Sequence, residues 1–225
     1  MRSRHTGLVA AAAVLLLSLA STAQAAVLWD QSNWNPNGEG SLNLNSTSCS
    51  QISGNTKAHT ASDVHFDGPV TITSVKIYET FGNVETATMA YLHIEPKTGP
   101  FPTAPTSVVT AAANFKPITI SYETVNSVQT VVVTCPNLNI ALPAGDYWVS
   151  LTPRHSRGVF PYAVHRVTTG PILGDPTRVL DACTENSNWL TPLNPPSYDY
   201  AIKIEGDRPV PAIPSSWGGV KAFYR

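Results

Sequence analysis

Four aromatic side chains are the candidates for ligand binding in this sequence: Trp34, Trp148, Tyr162 and Trp189. Trp148 lies in the segment Tyr-Trp-Val-Ser-Leu-Thr at residues 147–152, where apolar residues flank it. If those neighbours face the core of a strand, Trp148 faces outward or lies under a loop. An exposed indole is a flat apolar platform on which a sugar ring stacks. The segment therefore indicates a carbohydrate-binding surface, and the alternative is aromatic packing in the core.

A run of basic residues follows this segment, and Asp175 is the one acidic residue that opposes it locally. Its members are Arg154, His155, Arg157, His165, Arg166 and Arg178. A local positive field attracts anionic polymers, so Arg154 and Arg157 are candidates for binding a glycan or a cell-surface polymer. The alternative is a set of solvated loops, the usual place of arginine.

Carboxylates and histidines offer little support for catalysis. Asp63, His65 and Asp67 alternate on one face of a predicted strand, roughly 7 Å apart. With a second strand they could hold a metal, and with His155 they could serve a hydrolase or lyase. We favour an ordinary solvent face. No Gly-x-Ser-x-Gly, His-Glu-x-x-His or phosphate-binding loop occurs in the sequence, so no catalytic residue is assigned.

Residues 30–40, Asp-Gln-Ser-Asn-Trp-Asn-Pro-Asn-Gly-Glu-Gly, resemble a calcium loop only in part. Calcium takes about six to eight oxygen ligands, and anionic oxygens bind it best. The alternating positions here are amides, and the distal glutamate of the helical calcium loop is missing. The turn chemistry of Asn, Pro and Gly predicts a turn-rich loop instead, with calcium as the only cofactor left open.

Three cysteines, Cys49, Cys135 and Cys183, are candidates for a disulfide. In an exported protein, one disulfide and one free thiol is the natural interpretation. The spacing does not choose the pair. The absence of Cys-x-x-Cys argues against a zinc or redox site.

The N-terminus predicts export through a Sec-type signal peptide, residues 1–25. Arg2 and Arg4 precede a short apolar run, and Ala-x-Ala at residues 23–25 fits the cleavage pattern, which leaves Ala26 as the first residue. The run is shorter than the roughly 20 residues of a membrane span. We therefore expect a secreted or cell-surface protein, and the alternative is an uncleaved N-terminal anchor.

The net charge argues against a nucleic-acid partner. Of 14 Lys and Arg residues, two lie in the predicted signal, which leaves 12 against 15 Asp and Glu. Nucleic-acid binding depends on a strong basic field. No second apolar run in the sequence is long enough to cross a membrane as a helix.

Alternation of apolar and polar residues predicts the elements that position these side chains. Strands are predicted at residues 62–66, 70–78, 86–95, 118–124, 128–134, 138–142 and 147–152, and weaker ones at 159–165, 178–182 and 200–205. The alternation of apolar and polar residues shifts by one position near Ser74, which predicts a bulge. Many short strands without a convincing helix predict an antiparallel, jelly-roll-like β-sandwich over residues 26–206. A Pro-rich linker, residues 207–216, and a short tail, residues 217–225, follow it.

Two of these segments are similar to parts of a broad group of exported bacterial β-sandwich proteins. The run Leu-Pro-Ala-Gly-Asp-Tyr-Trp-Val-Ser-Leu at residues 142–151 resembles a hairpin of that group. Residues 62–78 resemble a second stretch, although Val70 stands where Trp is usual. The tail resembles the short Trp-Gly…Tyr-Arg endings of exported bacterial proteins. The resemblance implies a sandwich fold and an adhesive or surface role.

These patterns together predict a non-catalytic extracellular module with a structural or adhesive role. Its partners would be proteins, a glycan or a cell-surface polymer. A carbohydrate-binding module that uses the aromatic residues is the first alternative. A glycan-active hydrolase or lyase is the second.

Overall fold

The protein is an all-β sandwich of two antiparallel sheets. The computed structural model describes residues 25–42, 58–80, 83–103, 112–154, 164–181, 189–190 and 199–209. These residues contain fourteen strands, two short 3₁₀ turns at Asn83–Thr86 and Ala112–Asn114, and no α-helix. The all-β prediction is therefore confirmed. Residues 1–24 of the predicted signal peptide, most of the linker and the tail lie outside the described residues.

The first sheet is built around one central strand. Its eight strands are β1 (Ala26–Asp30), β2 (Trp34–Leu42), β4 (Val70–Glu79), β7 (Thr119–Val125), β8 (Val128–Cys135), β9 (Ile140–Leu142), β11 (Val164–Thr168) and β14 (Ile202–Asp207). Strand β4 pairs with β14 and β11, and also with β8 and β9. Strands β1 and β2 lie beyond β14 and β11, and β7 lies beyond β8.

The second sheet has six strands in the order β13-β12-β3-β10-β5-β6. Their bounds are β3 (Ala58–Phe66), β5 (Met89–Pro96), β6 (Phe115–Pro117), β10 (Gly145–Arg154), β12 (Arg178–Asp181) and β13 (Trp189–Leu190). Strand β10 lies between β3 and β5 in continuous register. Its residues from Tyr147 to Pro153 are all buried, so both of its faces are covered.

Strand β4 contains the irregularity that the sequence predicted near Ser74. On β14, Glu205 lies opposite Ser74, and the next residue, Gly206, lies opposite Ile72. Strand β4 therefore has one extra residue between these two pairs. Its other edge changes partner over the same residues, from β9 to β8. The extra residue restores the apolar phase, so that Ile72 and Val75 both face the core. The predicted bulge is confirmed.

The two sheets enclose an apolar interior. It includes Phe66 and Val149 from the second sheet and Ile77 and Val133 from the first, each no more than 2% exposed. These residues come from the predicted alternating strands. Their burial drives the packing of the sheets, at about 25 cal/mol per Å² of apolar area removed from water.

A second group of buried residues is polar, and we call it the polar interior. Its members are Gln31, Ser62, Glu79, His165, Thr177, Asp199 and Tyr200. Ser62 Oγ of the second sheet lies 3.3 Å from Thr177 Oγ1, and that oxygen accepts a hydrogen bond from the backbone N–H of Tyr200 (3.2 Å). The polar interior therefore links the two sheets by hydrogen bonds.

Two buried ionisable groups in the polar interior have displaced pKa values. Burial raises the pKa of Asp199 to about 6, although its Oδ2 accepts hydrogen bonds from Gln31 Nε2 (2.7 Å) and the N–H of Leu173 (2.8 Å). Burial lowers the pKa of His165 to about 3. The His165 ring stacks on Tyr200 at 4.4 Å, and its Nε2 lies 3.5 Å from Glu79 Oε1.

Four strands were not predicted from the sequence: β1, β2, β6 and β13. The expectation of a turn-rich loop around Trp34 is wrong, because residues 34–42 form β2 and pair with β11. That pairing is irregular, with register shifts between each of its pairs. Such a strand has no steady alternation to detect in a segment rich in Asn, Pro and Gly.

Candidate functional site

The aromatic residues expected to bind a ligand are buried where the structure describes them. Trp148 is 1% exposed, Trp34 is 2% exposed and Trp189 is 7% exposed. None of the three is therefore an exposed platform for a sugar ring. Tyr162 and Arg157 lie outside the described residues.

Trp148 does point away from the apolar interior, but a second layer covers it. Its ring packs with Ala61, Leu180 and Trp189 on the outer face of the second sheet. The ammonium group of Lys97 lies 5.1 Å from the ring centroid, and the Arg178 guanidinium lies 5.8 Å from it. Both cations belong to segments that cross this face. Trp148 therefore packs between the second sheet and these segments.

Lys97 holds together two segments that are distant in sequence. Its Nζ donates to Asp63 Oδ2 (2.7 Å) on β3 and lies 2.8 Å from Asp175 Oδ2. Asp63 Oδ2 also accepts a hydrogen bond from the backbone N–H of Asp175 (2.7 Å). Burial alone would lower the pKa of Lys97, but hydrogen bonds to Asp175 and Asp63 outweigh it and raise that pKa. The amine is therefore charged, and it fixes residues 97–103 against residues 169–177.

Gly174 is required where these segments meet. Its φ is +80°, a conformation that side-chain-bearing residues rarely adopt. A Cβ at this position would lie 2.1 Å from Asp63 Oδ2. Both the backbone conformation and the space beside Asp63 therefore require glycine.

Arg178, which begins β12 directly after the second segment, makes a second attachment to the first segment. Its Nε donates to the carbonyl of Pro100 (2.7 Å), and its guanidinium lies 4.7 Å from the centroid of the Phe101 ring. At the end of that loop, the N–H of Thr103 donates to Glu95 Oε1 (2.6 Å). We call residues 97–103 and 169–177, held by Lys97 and Arg178, the clamped loops.

The clamped loops carry apolar side chains in solvent. Phe101 is 40% exposed, Ile172 is 37% exposed and Leu173 is 41% exposed. The backbone N–H of Leu173 is bonded to buried Asp199, so this part of the loop is anchored to the polar interior. Because they lie on ordered loops, we take these three side chains as a candidate binding surface.

The predicted basic run does not form one surface in the described part of the chain. Arg154 is exposed and lies over the Phe115 ring, 4.6 Å from its centroid. His165, Arg166 and Arg178 are buried. The expectation of a shared basic surface is wrong for these three residues, because each packs within the sandwich or under the clamped loops.

The predicted row of Asp63, His65 and Asp67 is divided between two sets of contacts. Asp63 binds Lys97, whereas His65 Nδ1 lies 2.7 Å from Asp146 Oδ1 and its Nε2 lies 3.1 Å from Asp67 Oδ1. The hydrogen bond to Asp146 is the largest influence on His65 and raises its pKa. Over the described ranges, no group of three or more His, Cys, Asp or Glu side chains could hold a metal ion.

Of the three candidate cysteines, the structure describes Cys135. It is a free thiol, wholly buried in the apolar interior, and burial raises its pKa to about 11. Pairings that include Cys135 are therefore not formed in this structure. Cys49 and Cys183 lie outside the described residues.

Sequence reasoning missed Lys97, Phe101, Ile172 and Leu173. The sequence marks residues 98–105 as a proline-rich loop, and this is the signal that could have drawn attention to Phe101. Nothing local connects Lys97 with Asp63 or Asp175, since these residues meet only through the fold.

No protein-family model matches this chain, and no match occurs among curated proteins or solved structures. Among the described residues, no helix has the length and apolar character needed to span a membrane. The geometry of the clamped loops is therefore the basis for assigning a function.

Proposed function

We propose that this chain is an exported, non-catalytic β-sandwich protein with a structural or adhesive role at the cell surface, and that the clamped loops contact its partner. The observation that carries the proposal is the double attachment of these loops by Lys97 and Arg178. It holds exposed apolar side chains in place on a rigid sheet. The partner is a protein or a cell-surface polymer with an apolar surface.

Loops that are already ordered before binding give a higher affinity for a partner. A loop that becomes ordered only on binding loses conformational entropy at that moment, which weakens the complex. Here Lys97 bridges two carboxylates, and Arg178 binds the backbone beside Phe101. Much of the ordering cost is therefore met when the chain folds. The exposed side chains then contribute mainly the burial of their apolar area.

The first test compares exposed apolar residues on and off the clamped loops. The exported protein is applied to envelope fragments of the producing cells, and the bound fraction is measured against concentration. We expect Phe101→Ser and Leu173→Ser each to weaken binding about tenfold, which corresponds to 1.4 kcal/mol. Val27→Ser is the matched control, because Val27 is 48% exposed on β1. Equal effects of all three variants would disprove the assignment.

A second test changes the clamp without changing any exposed side chain. Gly174→Ala introduces a methyl group against Asp63 and a strained φ, at a cost of about 1–3 kcal/mol of stability. We expect binding to weaken because the loops are less ordered, although the Phe101 and Leu173 side chains themselves are unchanged. Gly99→Ala is the control in the other loop, since a Cβ there has no neighbour within 4 Å. If a folded Gly174→Ala protein bound with unchanged affinity, pre-ordering would not matter.

Carbohydrate binding at the same surface is the second candidate function. The Phe101 ring is backed by the Arg178 guanidinium and stays partly exposed, and the neighbouring Asp175 side chain is 36% exposed. An aromatic face beside a carboxylate and a cation offers both stacking and hydrogen bonds to a sugar. We therefore propose Phe101, and no longer Trp148, as the platform for a sugar ring.

Two substitutions at one position separate the candidates. A sugar ring needs an aromatic face, so Phe101→Trp should keep binding on a glycan array and Phe101→Leu should abolish it. An apolar partner would tolerate leucine, which retains most of the buried area. Retention of glycan binding by Phe101→Leu would rule out sugar stacking on this residue.

A further inference from the structure

The second of the clamped loops, residues 169–177, is held beside one buried carboxyl group, that of Asp199. Just before this loop, the N–H of the last residue of β11 donates to the backbone carbonyl of Asp199 (2.9 Å). In its middle, the N–H of Leu173 donates to Asp199 Oδ2 (2.8 Å). At its end, Thr177 Oγ1 accepts a hydrogen bond from the N–H of Tyr200 (3.2 Å). The carboxyl group therefore fixes the middle of a loop whose two ends are fixed next to it.

The surroundings of this carboxyl group disfavour a negative charge. Asp199 is 2% exposed, and its Oδ1 is buried without a hydrogen-bond partner in the described part of the chain. Its Oδ2 accepts hydrogen bonds from two neutral donors, the N–H of Leu173 and Gln31 Nε2. A buried carboxylate with an unbonded oxygen lacks much of the hydration that it has in water. The protonated form is therefore favoured while the loop covers it.

Acidic neighbours add to this effect. Burial is the largest influence and raises the pKa of Asp199, and the charge of Asp63 on β3 raises it further. Asp175, on the loop itself, is joined to Asp63 by its backbone N–H. The hydrogen bonds that Asp199 accepts offset only part of this rise, so its pKa is about 6. Asp199 therefore takes up a proton in weakly acidic medium, unlike an exposed aspartate.

The basic residues on the surrounding elements have other partners. Lys97 is bonded to Asp63 and Asp175, and Arg166 and Arg178 donate to backbone carbonyls. On β11, burial keeps His165 neutral above its pKa of about 3. Among the ion pairs of the described residues, none includes Asp199. An ionised Asp199 therefore depends on water for stabilisation.

We propose that Asp199 is a pH-sensitive switch of the clamped loops: protonated, it keeps residues 169–177 closed, and ionised, it favours an open loop in which water reaches it. This inference deepens the proposed function, on which its meaning for partner binding rests. The loop is the part that opens, because Ile172 and Leu173 are already exposed, whereas the other donor, Gln31, is buried. Segments with few buried apolar contacts open at low cost.

The direction of the pH effect follows from proton linkage. The closed loop holds the proton with a pKa of about 6, and a hydrated aspartate holds it with a pKa of 3.8. The ratio of closed to open loop is therefore highest below pH 3.8, falls as the pH rises, and is constant again above about pH 6. The total fall is up to about 100-fold, because each unit of pKa difference is a factor of ten.

Hydrogen exchange of the exported chain between pH 4 and pH 7 tests the switch without any partner. Peptides that cover residues 169–177 report on it, because the N–H groups of Thr169, Leu173 and Asp175 are hydrogen-bonded there. Their protection factors, which correct for the intrinsic effect of pH on exchange, should fall at least tenfold and up to about 100-fold. Protection that does not change with pH would overturn the proposal.

Peptides from β8 distinguish opening of the loop from unfolding of the whole domain. Global unfolding exposes both Asp199 and His165, whose contributions to stability change with pH in opposite directions. Opening of the loop exposes Asp199 and leaves His165 buried. We therefore expect β8 to be better protected than the loop, without the same fall in protection. An equal fall from equal protection in both would overturn the proposal.

Three substitutions assign the effect to one carboxyl group. Asp199→Asn keeps an oxygen that accepts the Leu173 N–H but carries no charge, so loop protection should no longer change with pH. Asp207→Asn is the matched control at an exposed carboxyl group and should behave like the parent. Asp63→Asn should make the fall end at a lower pH, because the pKa of Asp199 is then raised less. An unchanged fall in Asp199→Asn would show that another group controls the loop.

Partner binding at pH 4 and pH 7 separates this inference from the proposed function. Weaker binding to envelope fragments at pH 7, together with lower loop protection, is the expected result. Lower protection with unchanged binding would support the switch but count against the clamped loops as the contact surface. Weaker binding without any change in loop protection would overturn the switch.

Discussion

The apolar interior and the polar interior lie within the same two sheets, but they hold the sheets together in different ways. Phe66 and Ile77 represent the first, where contacts are non-directional and depend on the area removed from water. Ser62, Thr177 and Asp199 represent the second, where hydrogen bonds hold polar atoms in defined positions. Contacts in the polar interior therefore depend on direction and on pH, whereas contacts in the apolar interior do not.

Of the two interiors, the polar one is bonded to the proposed binding surface. The polar interior reaches the clamped loops through Asp199, which accepts a hydrogen bond from the N–H of Leu173. The apolar interior provides the rigid sheet on which these loops are mounted. A substitution in the polar interior should therefore affect the loops more than an equally destabilising one in the apolar interior.

The largest expected effect is in the apolar interior. Phe66→Ala removes a fully buried ring that lies 5.8 Å from the Tyr147 ring. We expect the free energy of unfolding to fall by about 4 kcal/mol, because transfer and cavity terms add. Urea unfolding should give the same loss at acidic and neutral pH, since no ionisable group is involved. A loss that changes with pH would show that the two interiors are not separate.

An intermediate effect is expected at Asp199, and its size should depend on pH. The pKa of Asp199 is about 6 in the folded chain against 3.8 for the free group, so the folded chain holds this proton more tightly. Its stability contribution is therefore complete below pH 3.8 and is lost as the pH rises through about 6. We expect Asp199→Asn to gain up to about 3 kcal/mol relative to the parent over this window.

His165 changes the free energy of unfolding with pH in the opposite direction to Asp199. Its pKa is lowered from 6.5 to about 3, so its contribution to stability is present above pH 6.5 and is lost as the pH falls toward 3. The two groups therefore oppose each other in the parent chain. Urea unfolding of Asp199→Asn at several pH values should show the rise due to His165 without the opposing fall due to Asp199. A constant difference between variant and parent would mean that folding does not shift the pKa of Asp199.

The smallest expected effect is at Thr177. Thr177→Val keeps the shape of the side chain but removes its contact with Ser62 and the acceptor for the Tyr200 N–H. We expect a loss of about 1–2 kcal/mol, because buried polar partners remain unsatisfied. Thr88→Val, at an exposed position, is the control and should change stability by less than about 0.5 kcal/mol. A similar change in both variants would argue against a structural role for this hydrogen bond.

The strands that could be predicted are those with regular alternation. Residues 70–78, 128–134 and 147–152 were predicted and lie within β4, β8 and β10. In each of them alternate apolar residues, such as Ile77, Val133 and Val149, face the apolar interior, so the local pattern carries the information. Strand β2 and the two-residue strand β13 could not be predicted, because pairing with distant strands decides their conformation.

The candidate site was harder to predict than the fold. Alternation correctly placed Trp148 on the face opposite to the apolar interior, but it could not reveal a covering layer. That layer depends on contacts between Asp63, Lys97 and Asp175, which are far apart in sequence. Periodicity predicts the face of a strand, whereas loop contacts depend on the complete fold.

The first sheet cannot be completed before β14 has been synthesised. Strand β14 lies between β1 and β4, so it joins a segment near residue 26 to one near residue 75. A ribosome must complete residues 202–207 before this part of the sheet can form. Contacts of such long sequence separation form slowly. The nascent chain therefore stays without its complete first sheet until synthesis has passed β14.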